Sequence, residues 1–376
     1  MFEVFTKWYL WYFIYLTIMS FLYVYNKDKY LASDEGKQLK NEDDYKVGFV
    51  FAILVFLPLI LVSGFRGWDI GSIYGDTGAY IGYYKAAPIK VSKAISDFDF
   101  DARAPGFVVF TSLIKSVFGE DYRAFFIIIA FICGLSLVIF YRKYSSDYIM
   151  CAFLFFASSD YMSWMHNGIR QFLAVAIVLL AFPLILKKKY FSFIIIVLIL
   201  FTIHKSVLIV LPLYFSSLGK PFNKRTITIL FAVLIALLFV GEFTDMLDDS
   251  LQGTIYSNMV SEFEGDDGTN ILRALLYSIP AIIAFANKSK IDENTPVIIK
   301  VSINMSLFTA GLFFLSVPIS GIYMGRLPIY CSLFNYILLP WELNHFFNED
   351  MHKIGKTILI IIYIVFYCYQ MFTWGF

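Results

Sequence analysis

Four short polar stretches stand out because each brings Arg or His to the edge of an apolar run. They are SGFRGWDIGSIYGDTGAYIGYY (63–84), SSDYMSWMHNGIRQ (158–171), TIHKS (202–206) and SGIYMGRLPIY (320–330). Arginine is costly at membrane depth and is usually paired or functional when it occurs there. Its planar fork of N–H donors suits phosphate and diphosphate oxygens. The shared pattern indicates a binding site for an anionic, phosphorylated substrate.

The cations are accompanied by candidate acids, bases and aromatic groups. The residues singled out in and near these stretches are Arg66, Asp69, Asp76, Tyr80, Arg103, Asp160, His166, Arg170, Gln171, His204, Arg326 and Tyr330. Arginines around a lipid-linked diphosphate stabilise it as negative charge develops on the leaving group. A nearby His or carboxylate can deprotonate a sugar hydroxyl as general base. Because a His titrates near neutrality, His204 is the first candidate for that base and Asp76 the second.

Each of these residues also has a purely structural explanation. Arg66 and Arg170 can be interfacial anchors whose charged ends reach the lipid headgroups. His204 can mark a hairpin tip, and Asp69 and Asp76 can cap turns in a glycine-rich loop. Tyrosines and tryptophans near span ends are typical of an aromatic belt. The functional interpretation therefore depends on several Arg and His residues falling at one membrane level.

Several kinds of chemistry lack their sequence signature. The chain contains no HExxH, no P-loop, no GxGxxG after a strand and no Asp-x-Asp box in a nucleotide-binding context. Its four cysteines lie in apolar segments without CxxC spacing, as small buried hydrophobes do. The net charge of +1 gives no reason to expect nucleic acid. We therefore expect neither a metal nor a cofactor, and the energy must come from an activated substrate or a gradient.

The composition indicates which elements position these groups. Charged residues make up 16% of the 376 residues and hydrophobic residues 59%, whereas soluble domains carry roughly 25% charged residues. Apolar segments that can cross a bilayer are 5–25, 47–63, 124–140, 148–164, 170–186, 190–204, 205–219, 226–241, 271–286, 297–316, 327–345 and 354–372. They predict an all-α, polytopic membrane protein with about twelve transmembrane helices. We expect one membrane domain over 1–376.

Basic connectors set the predicted orientation, because loops rich in Lys and Arg stay cytoplasmic. Such connectors recur at 141–147, 187–189, 220–225, 287–290 and 352–356. The connectors between them, including an acidic loop at 242–270, then face outward, away from the cytoplasm. Segment 105–118 leaves two alternatives. As a re-entrant or interfacial helix, which its shortness favours, it makes 64–123 one long periplasmic loop; as a true span, it puts the 63–84 stretch in the cytoplasm.

The polar stretches resemble the EpsG-like family of bacterial polysaccharide proteins. The family's Arg, Gly-Asp-Thr and Tyr after an early span correspond to Arg66, Gly75-Asp76-Thr77 and Tyr80; the longer spacing here keeps Asp69 as an alternative to Asp76. GIRQFLAVAIVLLAF (168–182), TIHKSVLIVLPLYF (202–215) and GRLPIYCSLF (325–334) are similar to three further family segments. They supply Arg170, Gln171, His204, Ser206, Arg326 and Tyr330. All four matches occur in the family's order.

The resemblance implies a Wzy-type polymerase of O-antigen or exopolysaccharide. Such an enzyme joins undecaprenyl-diphosphate-linked repeat units at the periplasmic face of the inner membrane, without nucleotide or metal. We expect His204, Asp76 and Arg170 to be catalytic. Arg170 and Arg326 are assigned to the diphosphate, with Arg66 as a third candidate. The substrate-binding set is Arg66, Asp69, Tyr80, Arg103, Gln171, Arg326 and Tyr330. The implied partners are the lipid-linked glycan as donor and acceptor, the lipid bilayer, a chain-length regulator and a flippase.

Two other functions use the same kinds of residue. A flippase or transporter of lipid-linked oligosaccharide shares the Arg-rich cavity, but it usually shows inverted repeats or charged residues deep within its spans. Another membrane transferase on the same lipid carrier, which adds one acyl group or one sugar branch, also fits a histidine beside a span. The product separates the three functions: a polymer ladder, a translocated but unchanged substrate, or a single added group.

Overall fold

The structure is a computed structural model, and it consists of helices joined by turns. It describes residues 2–33, 36–38, 45–66, 75–100, 102–239, 268–319, 321 and 324–374. Over these residues no strand occurs. The chain is therefore an all-α polytopic membrane protein, as its composition predicts.

The helices are numbered here in chain order. They are α1 Phe2–Leu31, α2 Phe49–Gly64, α3 Thr77–Ala86, α4 Val91–Ser96, α5 Pro105–Phe118, α6 Tyr122–Tyr144, α7 Tyr148–Ala157, α8 Ile169–Leu186, α9 Tyr190–Phe201, α10 Val210–Ser217, α11 Lys224–Leu238, α12 Ile271–Ala286, α13 Val297–Ser316, α14 Ile329–Ser332, α15 Asn335–Phe346 and α16 Glu349–Thr373. A π-helical turn, Tyr161–His166, precedes α8, and a 3₁₀ turn, Lys205–Ile209, precedes α10.

Length and apolarity identify the helices that can cross a bilayer. In the described part of the chain, α6, α8, α13 and α16 are long and apolar enough to do so. Over the same described residues, six apolar helical segments are shorter, among them α2, α5 and α7. The short predicted segment 105–118 is the separate helix α5. The predicted spans 148–164 and 327–345 are each divided by a turn, whereas 205–219 begins with a 3₁₀ turn that runs directly into α10. The number of about twelve spans stays a prediction.

The first of two compact units contains Met1–Asp97, Phe107–Lys188 and Phe347–Phe376. Its centre is the packing of α2 against α6 and of α6 against α8. Glycine allows the first of these contacts, because a Cβ on Gly134 would lie 2.2 Å from Ile60 Cγ1 and one on Gly64 would lie 3.3 Å from the backbone of Ile127. Small residues serve the same purpose between membrane helices generally, where close backbone approach replaces the hydrophobic effect.

The second unit contains Phe98–Gly106 and Lys189–Phe346. In it α10, α11, α12 and α15 pack around α13. A polar residue in the middle of α13 fixes the turn after α10: the Nδ2 of Asn304 donates to the carbonyls of Ser217 (2.8 Å) and Lys220 (3.1 Å), and its Oδ1 accepts from Phe222 N (2.9 Å). Asn304 is fully buried, so these bonds offset the cost of removing its amide from water.

Candidate functional site

The segment between α7 and α8 in the first unit has an unusual backbone. Ser159 has a positive φ of 69°, which is uncommon for a residue other than glycine, and Gly168 has a φ of 55°. Between them, the π-helical turn Tyr161–His166 is almost entirely buried. Strained residues and π-turns concentrate at functional sites. The segment presents the Met165 carbonyl, the His166 ring and the Asn167 amide to the residues that follow α2.

Arg66 lies just after α2 and is 3% exposed. Its Nη1 donates to the carbonyl of Met165, which also accepts a 2.9 Å bond from Ser63 Oγ. The guanidinium carbon lies 4.6 Å from the ring centre of Phe126. Within the described residues, Nε and Nη2 have no hydrogen-bond partner. Burial lowers the pKa of Arg66 to about 10, so the group is a buried cation with unused donors at neutral pH.

A reciprocal pair of hydrogen bonds, here called the clasp, joins Asp76 to Asn167 and Gly168. The backbone N of Asp76 donates to Asn167 Oδ1 (3.1 Å), and the backbone N of Gly168 donates to Asp76 Oδ2 (3.0 Å). The clasp requires glycine at position 75, because that residue has a φ of 50° and a Cβ there would lie 1.5 Å from Asn167 Oδ1. The Asp76 carboxylate thus orients the segment that leads into α8.

Arg170 begins α8 beside the clasp. Its backbone N approaches Tyr80 OH at 3.4 Å, and its guanidinium carbon lies 6.0 Å from the ring centre of Phe107. Arg170 is 9% exposed and Gln171 2%, and the Nε of Arg170 has no hydrogen-bond partner in the part of the chain that the structure describes. The first unit therefore brings together Arg66, Asp76, Tyr80 and Arg170, here called the Arg66 cluster, which the sequence places on the two stretches 63–84 and 158–171.

His166 is a buried neighbour of this group. Its ring lies 5.0 Å from that of Tyr161, edge to face, and the side chain is 1% exposed. Burial, and then the positive charge of Arg66, lower the pKa of His166 well below 6.5. The ring is therefore neutral at pH 7, which keeps a second cation away from Arg66.

The second unit holds a different kind of cluster around His204, which precedes the 3₁₀ turn Lys205–Ile209. Ser206 Oγ lies 2.8 Å from His204 Nδ1 and 2.9 Å from Tyr330 OH, and Tyr214 OH donates to the Tyr330 carbonyl at 3.0 Å. His204 is half-buried, whereas Tyr330 is 1% exposed. A hydrogen bond at Nδ1 orients an imidazole and sets its tautomer. The chain His204–Ser206–Tyr330 is suited to holding or moving a proton.

The remaining predicted site residues lie elsewhere. Arg326 ends a half-buried 3₁₀ turn, Met324–Arg326, in the second unit, and Arg103 is exposed in that unit. Asp69 and most of the predicted acidic loop 242–270 lie outside the described residues. Across those that are described, no group of His, Cys, Asp or Glu residues has the arrangement of a metal site.

Sequence reasoning missed two residues of interest. Asn167 makes the clasp, and the signal was the Asn-Gly pair, which marks a turn, immediately before Ile169 and Arg170. Arg273 lies in the first turn of α12, with its guanidinium carbon 5.7 Å from the ring centres of both Tyr277 and Phe313. An arginine at the first turn of an apolar helix after an acidic loop was the available signal.

Comparison with known proteins gives one match. A sequence profile of the EpsG family matches residues 49–376, which include every polar segment described above. No curated protein and no solved structure matches the chain.

Proposed function

The chain belongs to the EpsG family, and from this premise we propose that it is a polysaccharide polymerase that uses undecaprenyl-diphosphate-linked oligosaccharides. The growing chain on its lipid diphosphate is the donor, and a hydroxyl at the non-reducing end of a new lipid-linked unit is the acceptor. The reaction takes place at the periplasmic face of a bacterial inner membrane, as in O-antigen or exopolysaccharide synthesis. It needs neither nucleotide nor metal, since the diphosphate ester already activates the sugar.

The observation that carries this proposal is that Arg66 is buried while its Nε and Nη2 lack hydrogen-bond partners among the described residues. Leaving donors of a buried charged group without partners costs free energy, roughly 1–3 kcal/mol or more. An anionic ligand removes that cost, and a guanidinium fork matches two phosphate oxygens at once. Arg170, with its own buried Nε, is a second such group in the same unit. Two arginines with buried nitrogens available are a reason to expect a diphosphate rather than a neutral sugar.

The chemical step balances without an added cofactor. The acceptor oxygen bonds to the anomeric carbon as the bond from that carbon to the diphosphate oxygen breaks, and the lipid diphosphate leaves with the electron pair. The acceptor hydroxyl proton passes to a general base, for which His204 remains the first candidate. Positive charge beside the leaving oxygens stabilises the transition state more than the ground state, because their charge grows during the reaction.

Reconstitution of the full chain in proteoliposomes tests the proposal. Lipid-linked repeat units alone should yield a ladder of lengths, and the ladder should persist in EDTA and without nucleotide. Arg66→Gln should lower the rate of ladder formation by roughly 10²–10³-fold. Arg225→Gln, which removes an exposed arginine whose guanidinium donates to Leu218 O, should leave the rate unchanged. A requirement for a nucleotide sugar would refute the proposal, and so would full activity of Arg66→Gln.

The same assay distinguishes the two alternative functions. A flippase moves the lipid-linked unit across the bilayer without changing its mass. A transferase for side branches or acyl groups adds one group and then stops. Either product in place of a ladder would assign the Arg66 cluster to that function.

A further inference from the structure

A groove on the first unit lies away from the Arg66 cluster, between α1, α7 and α16. Its volume is about 280 Å³, near the lower end of the roughly 300–1,000 Å³ of ligand pockets. The walls are mainly apolar, with Leu16 on α1, Phe153 on α7 and Ile360 on α16. Among the described residues, none of the predicted site residues lines it.

The two ends of the groove differ in character. At one end lies Phe13, which packs against Phe156 and Tyr367 with ring centres 5.1–5.3 Å apart. An ion pair between Asp147 and Lys356, 2.7 Å long, lies at the other end. Along α1 the lining runs from Phe13 to Val24, which is ~16 Å at 1.5 Å per residue. That length is about half of the ~30 Å hydrocarbon core, or one leaflet.

The polar end has hydrogen-bond donors to spare. Both carboxylate oxygens of Asp147 are engaged, one by Met150 N (3.0 Å) and one by Lys356 Nζ. The ammonium of Lys356 carries three N–H groups, and this ion pair occupies one of them. Lys46 lies close by, donating to the Ser145 carbonyl at 2.9 Å, and Lys143 is exposed in the same connector. The mouth therefore favours a phosphate over a cationic group.

We propose that this groove binds one acyl chain of an anionic glycerophospholipid, with the phosphate at Lys356. The chain occupies the apolar walls to the ring cluster, a depth that suits one leaflet, and the basic connectors place the headgroup in the leaflet on their side. The site is separate from the Arg66 cluster and has no part in the glycosyl transfer.

Native mass spectrometry of the full chain in detergent tests the site with two probe lipids, phosphatidylglycerol and phosphatidylcholine. Phosphatidylglycerol should bind at least tenfold more tightly. Lys356→Gln should weaken it roughly tenfold or more, the effect expected for a charge-assisted hydrogen bond. Lys353→Gln is the matched control, because Lys353 lies one turn away on α16 and pairs with Glu349 without lining the groove. Equal binding of the two lipids, or equal loss in both lysine variants, would overturn the proposal.

A second pair of variants tests the groove itself. Ser20→Phe fills it from α1 and should remove the bound phosphatidylglycerol, and Thr17→Leu does the same if the first variant aggregates. Retention of wild-type binding in a well-folded filled variant would contradict an acyl chain in the groove. A long-chain isoprenyl phosphate added as competitor should bind more weakly than phosphatidylglycerol, and tighter binding would show that the groove holds an isoprenoid chain instead.

Discussion

The Arg66 cluster of the first unit and the His204 cluster of the second unit are built in different ways. Around Arg66 the two arginines and Tyr80 are almost fully buried and Asp76 is half-buried, the backbone adopts positive φ angles, and guanidinium N–H groups lack partners among the described residues. Around His204 the groups are half-buried or bonded to one another in a chain of hydroxyls. The first arrangement is ready to receive an anion, and the second is ready to receive a proton. Variants in each cluster should therefore fail in different ways.

The largest effect is expected at His204. If it is the general base, His204→Ala should lower the rate of ladder formation by roughly 10²–10⁴-fold while lipid-linked substrate still binds. Single-turnover rates and substrate binding measured on the same preparation check this split. Ser206→Ala keeps the imidazole but removes the bond at Nδ1, so its loss should be smaller. A larger loss in Ser206→Ala than in His204→Ala would contradict the role of His204 as general base.

Arg66 should give a slightly smaller loss of a different kind. Arg66→Gln should lower the rate by roughly 10²–10³-fold, as removal of one charge-stabilising donor does in other enzymes, and it should also weaken substrate binding. Arg66→Lys keeps the charge but not the fork, so it should restore only part of the activity. Binding of the lipid diphosphate is measured beside the rate. If Arg66→Gln bound the lipid diphosphate as tightly as the wild type, the diphosphate would bind somewhere other than at Arg66.

Gly75 tests whether the clasp positions the first cluster. Gly75→Ala places a Cβ in the space of Asn167 Oδ1 and holds a non-glycine residue at positive φ, which alone costs ~1–2 kcal/mol. We expect a lower melting temperature in detergent and a reduced rate. Gly78→Ala is the control, because a Cβ there meets nothing within 4 Å and alanine favours the helix α3. Equal behaviour of the two variants would mean that the clasp does not depend on Gly75.

The smallest effect concerns the pH dependence of stability. The pKa of His166 is lower in the folded chain than its ordinary 6.5, so the unfolded chain binds the extra proton first as the pH falls. The contribution of His166 to stability is therefore complete above about pH 6.5 and is lost at lower pH. Melting temperatures between pH 5 and 8 should decline on the acid side, and His166→Gln should decline less. The same acid decline in both proteins would contradict this assignment.

The sequence predicted the fold class, and its apolar segments predicted the helices. The glycine-rich stretch and the Arg-Gln helix also marked Arg66, Asp76 and Arg170 as candidates, which the structure brings together; their roles stay a prediction. Local pattern did not reveal that the apolar run 148–164 is divided after Ala157, because the positive φ of Ser159 depends on its buried surroundings. Nor did it reveal the bond between Ser206 and Tyr330, which joins residues 124 positions apart. Contacts between residues so far apart in the sequence depend on tertiary packing, which the spacing of apolar residues does not predict.

The clasp also affects slow covalent degradation of the protein. An Asn-Gly pair such as Asn167-Gly168 is prone to deamidation, in which the glycine nitrogen attacks the Asn side-chain carbonyl and ammonia leaves. Here that nitrogen donates to Asp76 Oδ2, and the Asn167 side chain is held toward the Asp76 backbone. We expect these two hydrogen bonds to slow the attack. Asp76→Ala should allow the glycine nitrogen to attack. A peptide containing position 167 should then gain about 1 Da during storage of that variant but not of the wild type. The same aspartate that orients α8 thus protects the chain beside it from slow covalent damage.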